Sequence, residues 1–242
     1  RVAMVSRWIP GGDIEEVFLD KDLEETAAAF IAKFMDAGFF TAEDEEELLE
    51  GALEAFAADD TEEIESDLRL MSGVLDGLIH AHAIGIIHRD ITARNVMLDI
   101  DFETSEPRAV ICDFGVSKKI NPEDFGNAKR SKFTSVEMRT EVYRPEFDYD
   151  TELGEKEIAN QHTWDLYAWA VLTIEVLAEK SLFSKQQVLE QLHGDVGKAL
   201  GEEITSLFEL ALSEDPLERP KDIEAFKVKL EAARAMRLKA LE

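Results

Sequence analysis

Apolar residues recur at helical spacing along most of this chain. Between residues 62 and 83 the spacing alternates between four and three, which places on one helix face Ile64, Leu68, Met71, Leu75, Leu78 and His82. Gly85 follows and predicts the end of this helix. The stretch from Trp164 to about Ala178 is apolar on all sides, which predicts a helix buried at the centre of the fold. Further helices are predicted over residues 185–193, 202–212 and 221–240.

Short apolar runs between turn residues predict strands rather than helices. One such run covers residues 2–9 and ends at a Pro-Gly-Gly turn. Others are Ile86-Ile87, Val96-Met97-Leu98 and the four residues from Ala109 to Cys112. Because the strands are short and the helices long, the pattern predicts a mainly α protein.

Residues 14–60 combine helical spacing with a high density of carboxylates. Gly38 marks the end of one helix, and Thr41 followed by Asp44 reads as a capping box that opens another. From residue 13 to residue 67 there are 21 acidic residues and two basic ones. Such a run is usually the solvated face of a helix, and the alternative is a docking surface for a basic partner protein.

The net charge limits which partners the chain can bind, and the cysteine content indicates its cellular compartment. The net charge of −27 argues against nucleic acid and anionic membranes as partners. No apolar run approaches the roughly 20 residues that a membrane-spanning helix needs. Cys112 is the single cysteine, which excludes an intrachain disulfide and leads us to expect the reducing cytoplasm. The charge is uneven, since residues 116–144 hold seven basic and four acidic side chains.

Candidate chemistry is concentrated between residues 88 and 115. The chain reads His88-Arg89-Asp90, then Asn95 five residues later, then an apolar run and Asp113-Phe114-Gly115. A carboxylate and an amide supply the hard oxygen ligands that Mg²⁺ prefers. A second carboxylate is available to accept the proton of an incoming hydroxyl.

The ordered motifs resemble the catalytic loop (HRDxxxxN) and the metal-binding turn (DFG) of eukaryotic-type protein kinases. The resemblance covers the hinge and the large, C-terminal lobe, and it implies a mainly α helical bundle with short β-hairpins at the catalytic and metal-binding loops. It implies ATP and Mg²⁺ as cofactors and a protein as substrate. It also implies four regions: 1–13 as the last small-lobe strand and hinge, 21–58 as an acidic helical insert, 84–146 as the catalytic loop and activation segment, and 160–242 as C-terminal helices.

The resemblance assigns roles to individual residues. The catalytic residues it implies are Arg89, Asp90, Thr92, Asn95 and Asp113. Of these, Asn95 and Asp113 would also bind the metal. The nucleotide-binding residues it implies are Arg7, Ile9, Asp13, Met97 and Cys112. Asp165 would brace the backbone of the catalytic loop, and Arg219 would pair with Glu146. Arg89 would hold a phosphorylated activation segment, with Ser131, Thr134 and Ser135 as candidate phosphorylation sites.

Two features depart from the kinase pattern. The glycine-rich loop and the strand lysine of the small lobe are absent from this sequence, so we expect the chain alone to be inactive and the small lobe of the same kinase to be a partner. In the catalytic loop Thr92 stands where serine/threonine kinases have lysine, and Arg94 gives the loop a tyrosine-kinase character. The rest of the activation segment does not follow tyrosine-kinase sequence, which favours serine or threonine as the acceptor.

Two other readings of the motifs stay open at this stage. One is a pseudokinase or truncated scaffold that binds partners without catalysis, although such proteins typically lose one of the three catalytic polar residues. The other is a small-molecule kinase of the aminoglycoside-phosphotransferase type, which usually has glycine at the position of Arg89. The complete set of catalytic residues favours an active protein kinase.

Overall fold

The computed structural model describes residues 13–15, 60–100, 107–119, 141–146 and 151–241. The predicted hinge strand at 1–12 and the acidic insert at 21–58 lie outside the described residues. The helices are α1 (Asp60–Ala83), α2 (Glu152–Ala159), α3 (Trp164–Leu177), α4 (Lys185–Leu192), α5 (Asp195–Leu200), α6 (Glu202–Ala211) and α7 (Ile223–Leu241). The strands are β1 (Ile86–Ile87), β2 (Val96–Ile100), β3 (Pro107–Ile111) and β4 (Lys118–Lys119). Short 3₁₀ helices cover Ala93–Asn95 and Gln161–Thr163.

The strands form two small antiparallel sheets. β2 and β3 make a hairpin in which Val96 faces Ile111 and Ile100 faces Pro107. β1 pairs with β4, with Ile87 opposite Lys118. The predicted mainly α fold, a helical bundle with short strand pairs at the two loops, is therefore confirmed. No helix in the described ranges is long and apolar enough to span a membrane.

Helix α3 lies at the centre of the core, as its all-round apolar sequence predicts. Every residue from Trp164 to Val176 is buried. Trp169 packs against the rings of Phe208 and Phe226 at centroid distances of 5.3 and 5.6 Å. Its indole Nε1 donates a 2.7 Å hydrogen bond to the carbonyl of Met71, which ties α3 to α1. The buried polar groups of the helix are thus paired rather than left without partners.

The buried ion pair of the core does not involve the glutamate that the sequence suggested. Arg219 binds both carboxylate oxygens of Glu157, at 2.9 and 2.6 Å, and both side chains are 1 % exposed. The same carboxylate accepts a 2.8 Å bond from the indole of Trp164. Glu146 is exposed, so its predicted pairing with Arg219 is wrong. The physical reason is helix α2, which ends just before α3 and carries Glu157 into the core.

Two helices were not predicted, and both lack an apolar stripe of useful length. Helix α2 begins after Thr151, whose hydroxyl accepts a hydrogen bond from the amide of Gly154 at 3.1 Å. Helix α5 has six residues and is separated from α6 by Gly201, which adopts φ +82°. A short helix cannot show the repeat on which a periodicity argument depends.

Candidate active site

The catalytic loop is held by one carboxylate on the first turn of α3. Asp165 is fully buried and accepts hydrogen bonds from the backbone amides of His88 and Arg89, at 2.8 and 2.7 Å. The imidazole Nε2 of His82 lies 2.8 Å from the same carboxylate. Burial alone raises the pKa of Asp165, but the hydrogen bonds and charges of these neighbours outweigh it, so the pKa lies below its ordinary value. The bracing role that the sequence assigned to Asp165 is what the geometry displays.

The contact of His82 with Asp165 was missed by the sequence reasoning, although a signal for it existed. His82 is a polar residue on the apolar stripe of α1, and a buried polar group needs a partner. That requirement pointed to a hydrogen bond but could not name the acceptor 83 residues away.

The side chain of His88 joins the catalytic loop to the turn that carries Asp113. Its Nε2–H donates to the carbonyl of Cys112 at 2.9 Å, and its Nδ1 accepts from the amide of Asp90 at 3.3 Å. The two partners fix the tautomer, because a carbonyl only accepts and an amide only donates. The ring also packs edge-on against Phe114 at 4.6 Å. His88 therefore positions both loops at once.

Both oxygens of the Asp90 carboxylate have partners. Asn95 donates its Nδ2–H groups to the backbone carbonyl of Asp90 at 2.8 Å and to Oδ2 at 3.0 Å. Arg144, from the segment before α2, donates to Oδ1 at 3.2 Å. The side chain of Asp90 is 24 % exposed, so it remains reachable from solvent. A carboxylate in this setting is oriented and accessible, as a proton acceptor must be.

The metal-binding turn is built on a strained backbone. Asp113 adopts φ 55°, and Arg89 adopts φ 68°, both in the left-handed region that favours glycine. The amide of Gly115 donates to Oδ1 of Asp113 at 3.0 Å. A Cβ atom on Gly115 would lie 2.8 Å from that oxygen, so a larger residue there would force the Asp113 carboxylate to shift. Asp113 itself is exposed.

The hairpin brings the two predicted metal ligands to adjacent positions. The amide of Cys112 donates to the carbonyl of Asn95 at 2.8 Å, which continues the β2–β3 register by one residue toward Asp113. Because Asn95 uses its Nδ2 on Asp90, its side-chain oxygen is the atom left for other ligands. One carboxylate and one amide oxygen suit Mg²⁺, which completes its octahedron with waters and nucleotide phosphates. Within the described residues no cluster of three or more His, Cys, Asp or Glu side chains could hold a metal by itself.

The structure describes some of the residues that are predicted to contact the nucleotide. Asp13 forms an isolated antiparallel bridge with Met97, so these two predicted contacts lie side by side. Met97 is half-buried while its neighbours Val96 and Leu98 are buried, because alternate residues of β2 face opposite sides. Met97 thus faces away from the helical core. Two other predicted contacts, Arg7 and Ile9, lie outside the described residues.

Cys112 directly precedes the metal-binding turn and is half-buried. Burial, with a smaller contribution from the neighbouring carboxylate of Asp113, raises the pKa of its thiol. Its Sγ lies 3.7 Å from the carbonyl of Val110. The side chain is therefore a neutral thiol in the wall of the site, and its hydrogen-bonded backbone is what positions Asp113.

The two unusual residues of the catalytic loop do not place a charge on Asp90. Thr92 is buried and precedes the 3₁₀ helix without capping it. Arg94 is turned toward Glu15, with contacts of 2.5 and 3.2 Å to the two carboxylate oxygens. The cation that contacts Asp90 is Arg144 instead. Nothing in the sequence distinguished Arg144 from the other basic residues of its segment.

Three cations converge beside the loop. Arg89 donates to the carbonyl of Val116, and Lys118 donates to Gln161 at 3.3 Å. Burial lowers the pKa of Arg89, Asp165 raises it, and the charge of Arg144 lowers it further. Burial and then the charge of Arg89 lower the pKa of Lys118. Repulsion between cations thus contributes to both pKa shifts, and the carboxylate of Asp165 opposes it at Arg89.

Tyr143, the residue before Arg144, anchors this segment to the core. The hydroxyl of Tyr143 donates to the buried carboxylate of Glu175, which also accepts a 2.7 Å bond from the amide of Leu182. Burial first, and then the charge of Glu175, raise the pKa of Tyr143 well above its ordinary value. This anchor was also missed, since no sequence pattern indicates that Glu175 of the apolar helix α3 contacts a tyrosine.

Comparison with known protein families identifies the family of this chain. The protein kinase domain model matches residues 41–230, which is most of the chain. The chain therefore belongs to the protein kinase domain family.

Its curated relatives are much longer proteins. The serine/threonine-protein kinase pkn3 of Myxococcus xanthus is 31 % identical over 183 residues, which are 68 % of this chain and 31 % of that protein. The LRR receptor-like serine/threonine-protein kinase ERL1 of Arabidopsis thaliana is 28 % identical over 207 residues, 76 % of this chain and 19 % of that protein. The match thus spans a third or less of either relative.

Solved kinase domains are also similar. Two double mutants of the PknI kinase domain of Mycobacterium tuberculosis match at TM-scores of 0.45 and 0.46, with 16 % and 18 % identity. They cover 71 % and 70 % of this chain, and 55 % of each PknI domain.

Proposed function

We propose that this chain is the large lobe of an ATP- and Mg²⁺-dependent protein kinase that phosphorylates a protein hydroxyl. The observation that carries the proposal is the arrangement of Asp90, Asn95 and Asp113, in which one carboxylate is oriented by an amide beside the metal-binding turn. The curated relatives named above are serine/threonine kinases, and Arg94, the one tyrosine-kinase feature of the loop, points to Glu15. Serine or threonine is therefore the acceptor we propose.

Each residue has a role in this proposal. Asp90 accepts the proton of the incoming hydroxyl, and Asn95 and His88 hold it in place. Asn95 and Asp113 hold Mg²⁺, which when bound neutralises charge on the phosphate oxygens. Asp13 and Met97, which form a β-bridge with each other, would contact the ribose and the adenine.

The test uses the intact protein as it is expressed in its source. Calorimetric titration with Mg-ATP measures binding, and transfer of labelled phosphate to protein measures turnover. Asp113→Asn should abolish both by weakening the metal site, whereas Asp90→Asn should abolish turnover and spare binding. Asp195→Asn, on an exposed helix end far from the loops, is the matched control and should change neither.

The outcomes separate the competing functions. Binding without transfer in the intact, phosphorylated protein would identify a pseudokinase scaffold. Transfer to a small molecule but to no protein would identify a small-molecule kinase. Transfer that survives Asp113→Asn would show that the site is elsewhere. A bare chain without a phosphate-covering loop and strand lysine should be inactive, and adding the small lobe of the same kinase should restore transfer.

A phosphorylated activation segment is part of the same proposal. The cation cluster of Arg89, Lys118 and Arg144 would bind a phosphate on Ser131, Thr134 or Ser135 through charge-assisted hydrogen bonds. Mass spectrometry of protein from its native cell tests this switch. The complete absence of phosphate from residues 116–144 would count against it.

The acidic insert at 21–58 supports a separate proposal, a basic partner protein in the cytoplasm. Attraction through exposed carboxylates should weaken as salt shortens the Debye length from about 10 Å at 0.1 M to about 3 Å at 1 M. A partner that is itself acidic, or that stays bound in high salt, would contradict an electrostatic contact. Deletion of the insert should leave transfer activity intact.

A further inference from the structure

The carboxylate of Asp90 is contacted by a cation from outside the catalytic loop. Asn95 holds Oδ2 from within the loop, and Arg144 holds Oδ1 at 3.2 Å from 54 residues further along the chain. The two side chains of the ion pair are 22 % and 24 % exposed. The contact therefore lies at the mouth of the site, where a substrate hydroxyl would approach.

The two arginines of the catalytic loop bond to groups other than Asp90, because Arg89 donates to the carbonyl of Val116 and Arg94 donates to Glu15. Thr92 is uncharged, and Arg94 is 57 % exposed with its guanidinium on Glu15. Among the residues that the structure describes, Arg144 is thus the only cation within ion-pair distance of Asp90.

The position of Arg144 is fixed by its surroundings rather than by the ion pair alone. Val142 and Tyr143 on its N-terminal side are buried, and the Tyr143 hydroxyl is bonded to Glu175 in the core. The amide of Arg144 closes a turn onto the carbonyl of Glu141 at 3.1 Å. The guanidinium is consequently delivered to Asp90 by a backbone that is already anchored.

We propose that Arg144 is a positioning residue for the transfer step, supplying to Asp90 the positive charge that neither Thr92 nor Arg94 supplies. This inference rests on the proposed kinase function. The planar guanidinium fixes Oδ1 of the Asp90 carboxylate, and Asn95 holds Oδ2. Together the two side chains set the orientation of the carboxylate. It keeps a cation at the point where negative charge gathers during phosphoryl transfer.

Steady-state kinetics of the intact protein test the role. Arg144→Ala should lower kcat by about 100-fold, the loss typical of a misplaced reacting group, with little change in the KM for Mg-ATP. Arg144→Lys should recover part of that loss, and added guanidinium ion should partly rescue Arg144→Ala. A merely structural residue would show neither kind of rescue. Arg108→Ala is the matched control, since it removes an arginine from an aspartate at the far end of the hairpin.

Three kinetic outcomes would overturn the proposal. The first is an Arg144→Ala variant with wild-type kcat. The second is an Arg144→Ala variant with a higher kcat than wild type, which would show that the ion pair between Arg144 and Asp90 inhibits transfer. The third is an Arg94→Ala variant that loses as much kcat as Arg144→Ala without changes in stability, which would return the role to the catalytic loop.

A second measurement does not depend on activity. Asp90→Ala and Arg144→Gln are compared, singly and together, by thermal melting. If Arg144 holds Asp90, the shift caused by Arg144→Gln should disappear in the Asp90→Ala background, whereas independent residues give additive shifts. A wild-type protein without transfer activity would refute the kinase function. The melting cycle would still decide whether Arg144 holds Asp90, and additive shifts would overturn this inference.

Discussion

The carboxylates in and next to helix α3 differ from those of the catalytic loop and the metal-binding turn in burial and in hydrogen bonding. Asp165, Glu157 and Glu175 are almost fully buried, and each accepts hydrogen bonds from at least two donors. Asp113 is exposed and Asp90 is partly exposed, and each keeps an oxygen near solvent. Buried carboxylates that are fully paired hold a scaffold in one arrangement, whereas an open carboxylate can still exchange a partner for a ligand. The first group should govern stability and the second group activity.

The largest expected effect lies in the buried group. Glu157→Ala leaves Arg219 charged and buried without its partner, which should lower the free energy of unfolding by about 3–5 kcal/mol. Urea denaturation measures this loss. Arg219→Ala should add little in the double mutant. The matched control is Glu146→Ala, which removes an exposed glutamate and should change stability by less than about 0.5 kcal/mol. An equal loss from both glutamates would contradict the pairing.

Acid should destabilise the same buried region. Burial, with the nearby charges of His82 and Lys221, lowers the pKa of His162 from 6.5 to about 4, and Asp165 opposes this shift. Between pH 6.5 and about pH 4, His162 is therefore protonated in the unfolded chain but not in the folded protein. The resulting loss in the free energy of unfolding grows as the pH falls through that window and reaches about 3 kcal/mol at its lower end. Unfolding free energies of wild type and His162→Gln at pH 7 and pH 4.5 check this, because the variant should lose less stability on acidification. Parallel losses would show that His162 does not titrate in this window.

A smaller loss in the free energy of unfolding is expected where a buried carboxylate loses one of its hydrogen-bond donors and keeps another. Tyr143→Phe takes a hydroxyl from the buried carboxylate of Glu175, which keeps its bond from Leu182. A hydrogen bond to a charged group contributes about 1.5–3 kcal/mol, so we expect a loss of about 2 kcal/mol in urea denaturation. Thr173→Val, which removes a hydroxyl that bonds to the backbone carbonyl of Trp169 within helix α3, is a comparison for loss of a neutral bond and should cost less. A Tyr143→Phe variant of wild-type stability would mean that the anchor is weak.

The smallest effect on stability should come from the exposed turn. Asp113→Asn keeps an oxygen for the amide of Gly115, so the free energy of unfolding should change by less than about 0.5 kcal/mol. The increase in melting temperature that Mg-ATP causes should nevertheless be lost. Asp195→Asn should leave both quantities unchanged. A large loss of stability on Asp113→Asn would erase the distinction between the two groups of carboxylates.

Sequence reasoning succeeded where local pattern decides the structure. The apolar stripe of α1 and the apolar surface of α3 required one buried face and one fully buried helix, and both are present. The resemblance to kinases implied a hairpin between the catalytic loop and the metal-binding turn, and the β2–β3 hairpin lies there.

It failed where a long-range partner had to be chosen among similar side chains. Glu146 and Glu157 are both glutamates at plausible distances along the chain from Arg219, and only the path of α2 decides between them. Arg94 lies in the catalytic loop and Arg144 does not, yet tertiary structure turns the first toward Glu15 and the second toward Asp90. The candidate partners carry the same charge in each case, and backbone geometry makes the choice between them.

The pairing of β1 with β4 has a consequence for how the site opens. Two residue pairs, Ile86 with Lys119 and Ile87 with Lys118, close a loop that contains residues 88–117. Asp90, Asn95, Asp113 and Arg89 all lie within that closed loop, and Lys118 lies on its rim. Separation of this strand pair, together with loss of the bonds from the amides of His88 and Arg89 to Asp165, would release the catalytic loop and the turn at Asp113 together, as a single unit of local unfolding. Backbone amides on both sides of the site would then exchange their hydrogens in one shared opening event rather than in two independent ones.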